Sequence, residues 1–254
     1  MNVLAVLVNY GSDQIDYLNR VVAELKSFEK YKVSVIVNSN IEIDKDNIDY
    51  VNIIKLDDYQ LLPLTCKQVI WHYRNDFDLF LYGENDHLFK EIHLDRYLEY
   101  NKIIPKDRIT GLIQYEENKS GKYYPAYHAH YDWDYNNVEV YGNKKFAHFT
   151  NIHQATFILT KEQLLDIGSK YDFTQFFGES HYSVKCKVNT DIFQFCGMRK
   201  LICVSDFEDN LIHHLPNVYI DGADGYIKED GSIGKRAKQR SDNDRMQQAI
   251  KRLL

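Results

Sequence analysis

The chain has 254 residues, of which 44% are hydrophobic and 27% charged, with 31 Lys and Arg set against 37 Asp and Glu. That supports one large domain with a full core and excludes a disordered or low-complexity chain; the formal net charge of −6 argues against nucleic acid as the partner. Tyrosine stands out at 20 residues, beside 13 Phe and 2 Trp, so where the aromatics cluster becomes a question to carry along the chain.

Val3–Val8 is a continuous apolar run stopped by Asn9-Tyr10-Gly11, the pattern of a buried parallel strand and its turn. Ser12-Asp13 offers a helix cap, and Ile15, Leu18, Val21, Val22, Leu25 and Phe28 form a 3.6-residue stripe behind it. Val33–Val37 predicts a second strand, ending in Asn38-Ser39-Asn40, and Val51–Leu56 a third. Pro63 opens a helix through Val69, Ile70 and Tyr73. Asp78–Tyr82 predicts a fourth strand, stopped by Gly83-Glu84-Asn85-Asp86. A helix over Asp95–Tyr100, strands over Arg108–Tyr115 and Thr156–Thr160, and a Thr160-capped helix over Lys161–Ile167 follow, with residues 116–150 reading as loop-rich. Phe193–Phe195 and Leu201–Val204 are short apolar segments. This alternation predicts an α/β fold with a doubly wound sheet, in which ligands bind beyond the carboxyl ends of the strands.

The N-terminal run lacks a basic leader and a cleavage site, and no stretch nears the roughly 20 apolar residues of a membrane span. Cys66, Cys186, Cys196 and Cys203 form no CxxC pair, so reduced thiols and a cytoplasmic setting are expected. Residues 1–234 read as one domain and 235–254 as a basic tail with seven basic and two acidic residues. Met246, Ala249, Ile250, Leu253 and Leu254 recur at helical spacing in that tail. Such a helix either packs its stripe on the body or rests on an anionic membrane surface at the inner face.

Glu84-Asn85-Asp86 puts two carboxylates and an amide just past a buried strand, a costly placement unless a cation sits among them. Hard oxygen ligands suit Mg²⁺ or Mn²⁺. Far downstream, His213 and His214 stand beside Pro216, and imidazole completes such a site for Mn²⁺. Each motif alone reads equally well as a turn or a core pair; together they favour a metal. Asn9, Tyr10, Gly11, Asn38, Ser39 and Asn40 sit at two strand ends, where they hold a nucleoside or simply make turns. Thr65 and Lys67 open the following helix within reach of a diphosphate, with a solvated lysine as the alternative. No GxSxG elbow, GxxxxGK[ST] loop or GxGxxG fingerprint occurs, which removes serine hydrolases and P-loop kinases and argues against dinucleotide dehydrogenases.

The order of elements, with Tyr82-Gly83-Glu84-Asn85-Asp86 after Asp78-Leu79-Phe80-Leu81, resembles the nucleotide-sugar-dependent glycosyltransferases of the GT-A fold. Residues 206–219, Asp206-Phe207-Glu208-Asp209-Asn210-Leu211-Ile212-His213-His214-Leu215-Pro216-Asn217-Val218-Tyr219, resemble the tail of bacterial and viral members, and the likeness spans roughly residues 3–220. It implies a mixed central sheet, a DxD-type acidic motif binding a divalent metal, and a UDP- or GDP-sugar as donor. It also implies that His213 or His214 completes the metal site with Asp86 and Glu84, Asn85 standing where the motif is usually acidic. The acceptor implied is a hydroxyl of a glycan or lipid-linked saccharide.

An inverting transferase needs a base for the acceptor proton. Asp191 and Glu179 compete for that role, Asp191 being favoured and Glu179 lying in a Gly178-containing loop. His153 and Gln154 precede a strand where polar groups read sugar hydroxyls or make buried hydrogen bonds. A dense share of the tyrosines falls between residues 115 and 141, where Trp133 with Asp132 offers an acceptor contact as readily as core filler. The alternative function is a non-catalytic carbohydrate-binding or assembly protein on the same frame.

Overall fold

Every residue of β1 (Asn2–Asn9) from Val3 to Val8 is apolar and buried. A strand apolar on both faces belongs inside a sheet, and β1 lies between two parallel neighbours, β2 (Lys32–Ser39) and β4 (Leu79–Glu84). β3 (Tyr50–Ile53) extends the sheet parallel to β2, ending earlier than the apolar run through Leu56 predicts. β11 (Phe157–Thr160) closes the other edge antiparallel to β4, giving the order β11-β4-β1-β2-β3 and a mixed central sheet. This computed structural model describes residues 1–44, 46–119, 121–125, 132–176, 182–220, 226–227, 233–234 and 242–254.

The helices follow the apolar spacing more closely than the caps. α1 (Ile15–Lys26) buries Leu18, Val21, Val22 and Leu25, yet neither Ser12 nor Asp13 caps it; Gln14 stands at its start without a side-chain cap bond. α2 (Leu62–His72) carries Pro63 in its first turn, and it packs on β1, β2 and β4. α3 (Glu91–Tyr100) begins a turn before the expected Asp95. α4 (Lys161–Lys170) has the expected Thr160 cap, with Gln163 N–H donating to Thr160 Oγ1 at 3.2 Å and Thr160 N–H donating back to Gln163 Oε1 at 2.9 Å. α5 (Val184–Gln194) takes in Phe193, so the Phe193–Phe195 segment ends a helix.

The second half departs further from the sequence pattern. β5 (His87–Leu88) follows the acidic turn directly. The strand expected over Arg108–Tyr115 breaks at Gly111-Leu112 into β6 (Arg108–Thr110) and β7 (Ile113–Asn118), which join different sheets. Residues 116–150 hold β8 (Gly121–Tyr123), β9 (Trp133–Tyr141) and β10 (Lys144–Phe149) instead of a long loop. Asp134, Asn136 and Asn137 look like turn formers, but they lie in a strand that is half-buried along most of its length. With β12 (Arg199–Cys203) and β13 (Leu211–His214), two further four-stranded sheets form, in the orders β6-β12-β10-β9 and β5-β13-β7-β8.

α6 (Asp242–Leu253) settles how the tail's apolar stripe is used. Met246, Ala249, Ile250 and Leu253 are buried in a second core with Trp133, Phe149, Ile202 and Phe207. Arg252 lies 3.9 Å over the Tyr135 ring, and the Lys145 ammonium donates to the Leu254 carbonyl. The stripe expected to face either the body or a membrane faces the body. Among the described residues no helix is long and apolar enough to cross a membrane.

Candidate active site

Strand register brings the polar stops level. β1 and β2 pair Asn9 with Ser39, and β1 and β4 pair Val8 with Glu84, so three strand ends finish together. Gly83 permits the approach: a Cβ there would sit 2.9 Å from the Phe89 ring and 3.3 Å from Leu7 Cδ2.

On the β1–β2 side the polar groups satisfy one another. Asn9 Nδ2 donates to the Gly11 carbonyl and to Ser39 Oγ, each at 3.1 Å, while Asn9 Oδ1 accepts from Asn85 Nδ2 at 2.7 Å. Asn38 Nδ2 donates to Thr65 Oγ1 and Asn38 Oδ1 accepts from Asn52 Nδ2, both at 2.8 Å. Asn40 Oδ1 accepts from the Gly11 N–H at 2.8 Å, holding Gly11 at φ +70°, where glycine is at ease. Asn9, Asn38, Ser39 and Asn85 are buried. Of the residues expected to hold a nucleoside, Tyr10 is the one that projects, 63% exposed with its ring 5.5 Å from that of Tyr59.

The β4–β5 side is different. Glu84, Asp86 and His87 each present a ligand atom, all within 4.8 Å of one another. His87 and Asp86 are buried, and Nδ1 of His87 lies 2.8 Å from Asp86 Oδ1 but off the hydrogen-bond axis. Among the described residues Asp86 Oδ1 and His87 Nδ1 thus meet only each other, and His87 Nε2 has no hydrogen-bond partner. β13 pairs His214 with His87, and His214 Nε2 reaches Asp86 Oδ2 at 3.3 Å. His214 Nδ1 donates to Glu116 Oε1 at 2.6 Å, which fixes the ring. Glu116, fully buried, also accepts the backbone N–H groups of Tyr219 and Ile220 on Oε2 at 2.9 and 2.6 Å.

The charges follow this geometry. Burial works to raise the pKa of Asp86, but the imidazoles of His87 and His214 overcome it and hold the carboxyl below its usual range. Burial works to lower His214, and its bonds to Asp86 and Glu116 instead push it up to about 9. Glu84 is raised, chiefly by burial. Two oxygen and two nitrogen donors gathered at one strand end fit a divalent cation of the Mn²⁺ class.

His213, one residue from His214, faces the other way: it stacks on Tyr115 at 4.9 Å and its Nε2 lies 3.4 Å from Asn217 Oδ1. Strand alternation allows one of the pair into the cluster, and that is His214. The member of the cluster that sequence reasoning missed is His87; its signal was adjacency, an imidazole directly after the acidic turn.

Beyond the cluster lies a cavity of about 180 Å³ lined by Asn151, His153, Gln154, Cys186, Lys200 and Tyr219, among others. His153 Nδ1 lies 3.1 Å from Thr190 Oγ1, whose own hydrogen goes to the Cys186 carbonyl. The proton is therefore on Nδ1 and the lone pair on Nε2, and burial lowers the ring's pKa to about 4. Gln154 does not read hydroxyls: Oε1 accepts from Leu112 N–H at 3.0 Å and Nε2 donates to the Thr156 carbonyl at 2.7 Å.

Other expected residues are placed inside. Asp191 is fully buried and pairs with the Lys187 ammonium at 2.5 Å, one helical turn away on α5, so its carboxylate serves an ion pair where a base was expected. Lys67 is buried over the Phe173 ring at 5.0 Å without a hydrogen-bond partner among the described residues, and Thr65 bonds Asn38 and the Leu62 carbonyl. Trp133 is core, 3% exposed and 4.9 Å from Phe149, and Asp132 Oδ1 accepts the Trp133 N–H at 2.8 Å. Glu179, with Tyr127, His128, His130 and Tyr131, lies outside the described residues.

No family model matches the chain, and no curated protein matches it. Among solved structures it is similar to S. aureus TarS 1–349, with a TM-score of 0.48 and 11% identity over 85% of this chain. It is similar also to S. aureus TarS, with a TM-score of 0.46 and 12% identity over 80% of this chain and 35% of that one. The chain spans 60% of the length of the first. A likeness at this level says nothing about chemistry, and the functional reading rests on the site itself.

Proposed function

We propose that this chain is a metal-dependent glycosyltransferase of GT-A type, moving a sugar from a UDP- or GDP-linked donor to a hydroxyl of a glycan or lipid-linked saccharide. The observation that carries the reading is the group of Glu84, Asp86, His87 and His214 at the carboxyl end of β4, with Glu84 half-buried, the others buried, and His87 Nε2 without a hydrogen-bond partner among the described residues. Those four residues would hold Mn²⁺ or Mg²⁺, and Glu116 would orient His214. The ion's chemistry is Lewis-acid neutralisation of the charge on the departing diphosphate.

In this reading the chain's own residues do the rest. The Tyr10 and Tyr59 rings at the mouth offer faces for the nucleoside base, and the neighbouring asparagines set the shape of that end without touching it. The cavity beside His153 receives the sugars. Glu179 is kept as the base for an inverting reaction, because Asp191 is committed to Lys187.

The test is the melting temperature with Mn²⁺, UDP and GDP singly and together, followed by hydrolysis of UDP- and GDP-sugars. Stabilisation by one nucleotide only when Mn²⁺ is present, abolished by EDTA, is the expected result. Stabilisation by free saccharides with no response to any nucleotide would turn the reading to a carbohydrate-binding protein.

A further inference from the structure

Among the described residues three lysines are buried, and each is provided for differently. Lys187 has the Asp191 carboxylate. Lys67 has the Phe173 face, with Asp191 and Asp172 near enough to act on its charge. Lys200, 7% exposed, has no carboxylate partner among the described residues. It also differs in position, because it lines the cavity beside His153.

The fold takes trouble to put it there. Gly111 marks the break between β6 and β7, and a Cβ on it would meet Lys200 Cε at 2.9 Å and Gln154 Oε1 at 2.3 Å. Gln154 cannot yield, since both ends of its amide are bonded to backbone. The lysine stem is thus confined between Gly111 and the Phe193 ring, 5.6 Å from its nitrogen. Nζ donates to the Asn151 carbonyl at 3.2 Å and approaches the His153 carbonyl at 3.5 Å. An ammonium has three N–H donors, so one is left over.

A buried charge without a counter-charge is costly unless a ligand supplies one. Consistent with that cost, burial alone lowers the Lys200 pKa to about 7. We infer that the cavity binds an anionic group carried by a sugar substrate, a carboxylate or a phosphate, against the Lys200 ammonium. The inference rests on the transferase reading for the word substrate, but the anion site stands or falls separately. Asn151, His153 and Tyr219 on the same wall supply polar and aromatic surface for the rest of a saccharide.

The test uses the full chain carrying lysine labelled with ¹³C at Cε, the Lys200 signal being assigned by its absence from Lys200→Arg. Glucuronate, glycerol phosphate, uncharged glucose and UDP with Mn²⁺ are titrated separately. A saturable shift of the Lys200 signal with glucuronate assigns a carboxylate-bearing sugar, one with glycerol phosphate a phosphate-bearing acceptor, and glucose leaves the signal unmoved. Cys186 is on the same wall and is the partly exposed member of four free thiols, so the bound anion also slows its alkylation. Lys200→Met weakens the effective anion by roughly 10- to 100-fold, the value of a charged hydrogen bond.

A signal moved by UDP and Mn²⁺ but by neither small anion would overturn the inference, placing Lys200 at the donor diphosphate. A signal moved by none of the probes would also overturn it, leaving Lys200 as a clamp on the Asn151–His153 backbone. Failure of the transferase reading shows elsewhere, as absence of any stabilisation by nucleotide with Mn²⁺.

Discussion

Two clusters of polar side chains stand side by side at the ends of neighbouring strands, one past β1 and β2 and the other past β4, and they are built on opposite terms. In the asparagine cluster, Asn9 and Asn38 have both ends of their amides bonded, to Gly11, Ser39 and Asn85 and to Thr65 and Asn52. In the acid–imidazole cluster, among the described residues, Asp86 Oδ1 and His87 Nδ1 meet only each other off the hydrogen-bond axis, and His87 Nε2 is buried without a partner. Both look alike as sequence: short polar stops after apolar strands. What separates them is satisfaction. A bonded amide network rigidifies the strand ends, whereas a buried polar atom left unmet calls for an explanation, and the proposed metal supplies one.

The comparison breaks most sharply at Asp86. Asp86→Ala removes the carboxylate between His87 and His214, so Mn²⁺ should no longer raise the melting temperature and turnover should fall by more than about 100-fold. Retained Mn²⁺ stabilisation in that variant would remove the metal assignment. The matching change in the other cluster, Asn9→Ala, strands the Asn85 amide and should cost about 1–3 kcal/mol in urea unfolding while leaving the Mn²⁺ response in place. Asp191→Asn should cost more stability than Asn9→Ala does. It leaves the Lys187 ammonium buried without its carboxylate, and a loss of about 3–5 kcal/mol is expected. Lost turnover at unchanged stability would instead return Asp191 to the role of base.

Much of the first half was legible because its signals are local. The run Val3–Val8, the stripe on α1 and the Pro63 and Thr160 helix starts each depend on a few neighbouring residues. The level alignment of Asn9, Ser39 and Glu84 followed from strand ends alone. What stayed hidden depended on pairing at long range. β9 hid because a half-exposed strand carries Asp and Asn freely when its partner strand supplies the order. Trp133 belongs to a core completed by α6, more than a hundred residues later, so its burial had no local signature. Asp191 and Lys187 are four residues apart on one helix, a spacing that announces an ion pair once the segment is known to be helical. Choosing His214 over His213 needed the β13–β5 register, which no spacing within Leu211–His214 reveals.

The same contrast can be sharpened within a single residue type. His93 on α3 is as buried as His87, but Nδ1 accepts the Lys90 N–H at 3.2 Å and Nε2–H donates to the Leu211 carbonyl at 3.0 Å. Protonating it would place a hydrogen where Nδ1 now accepts, and burial lowers its pKa to about 4. The folded pKa is below the ordinary 6.5, so His93 contributes stability that is complete above about pH 6.5 and is lost as pH falls toward 4. Between about pH 7.5 and pH 5.5 the loss should be about 1 kcal/mol. His214 works in the opposite sense, its raised pKa favouring the fold as pH drops over that range, so the wild type alone shows a muted slope. The difference between wild type and His93→Gln isolates the term: glutamine can donate and accept at the same two places but cannot titrate, so the variant should lose less stability than wild type on acidification and keep its Mn²⁺ response. His87→Gln should do the reverse, removing the Mn²⁺ response and leaving the His93 contribution to the pH slope untouched. If both variants kept the metal response, or both lost it, the distinction between satisfied and unsatisfied imidazoles would not predict which one binds.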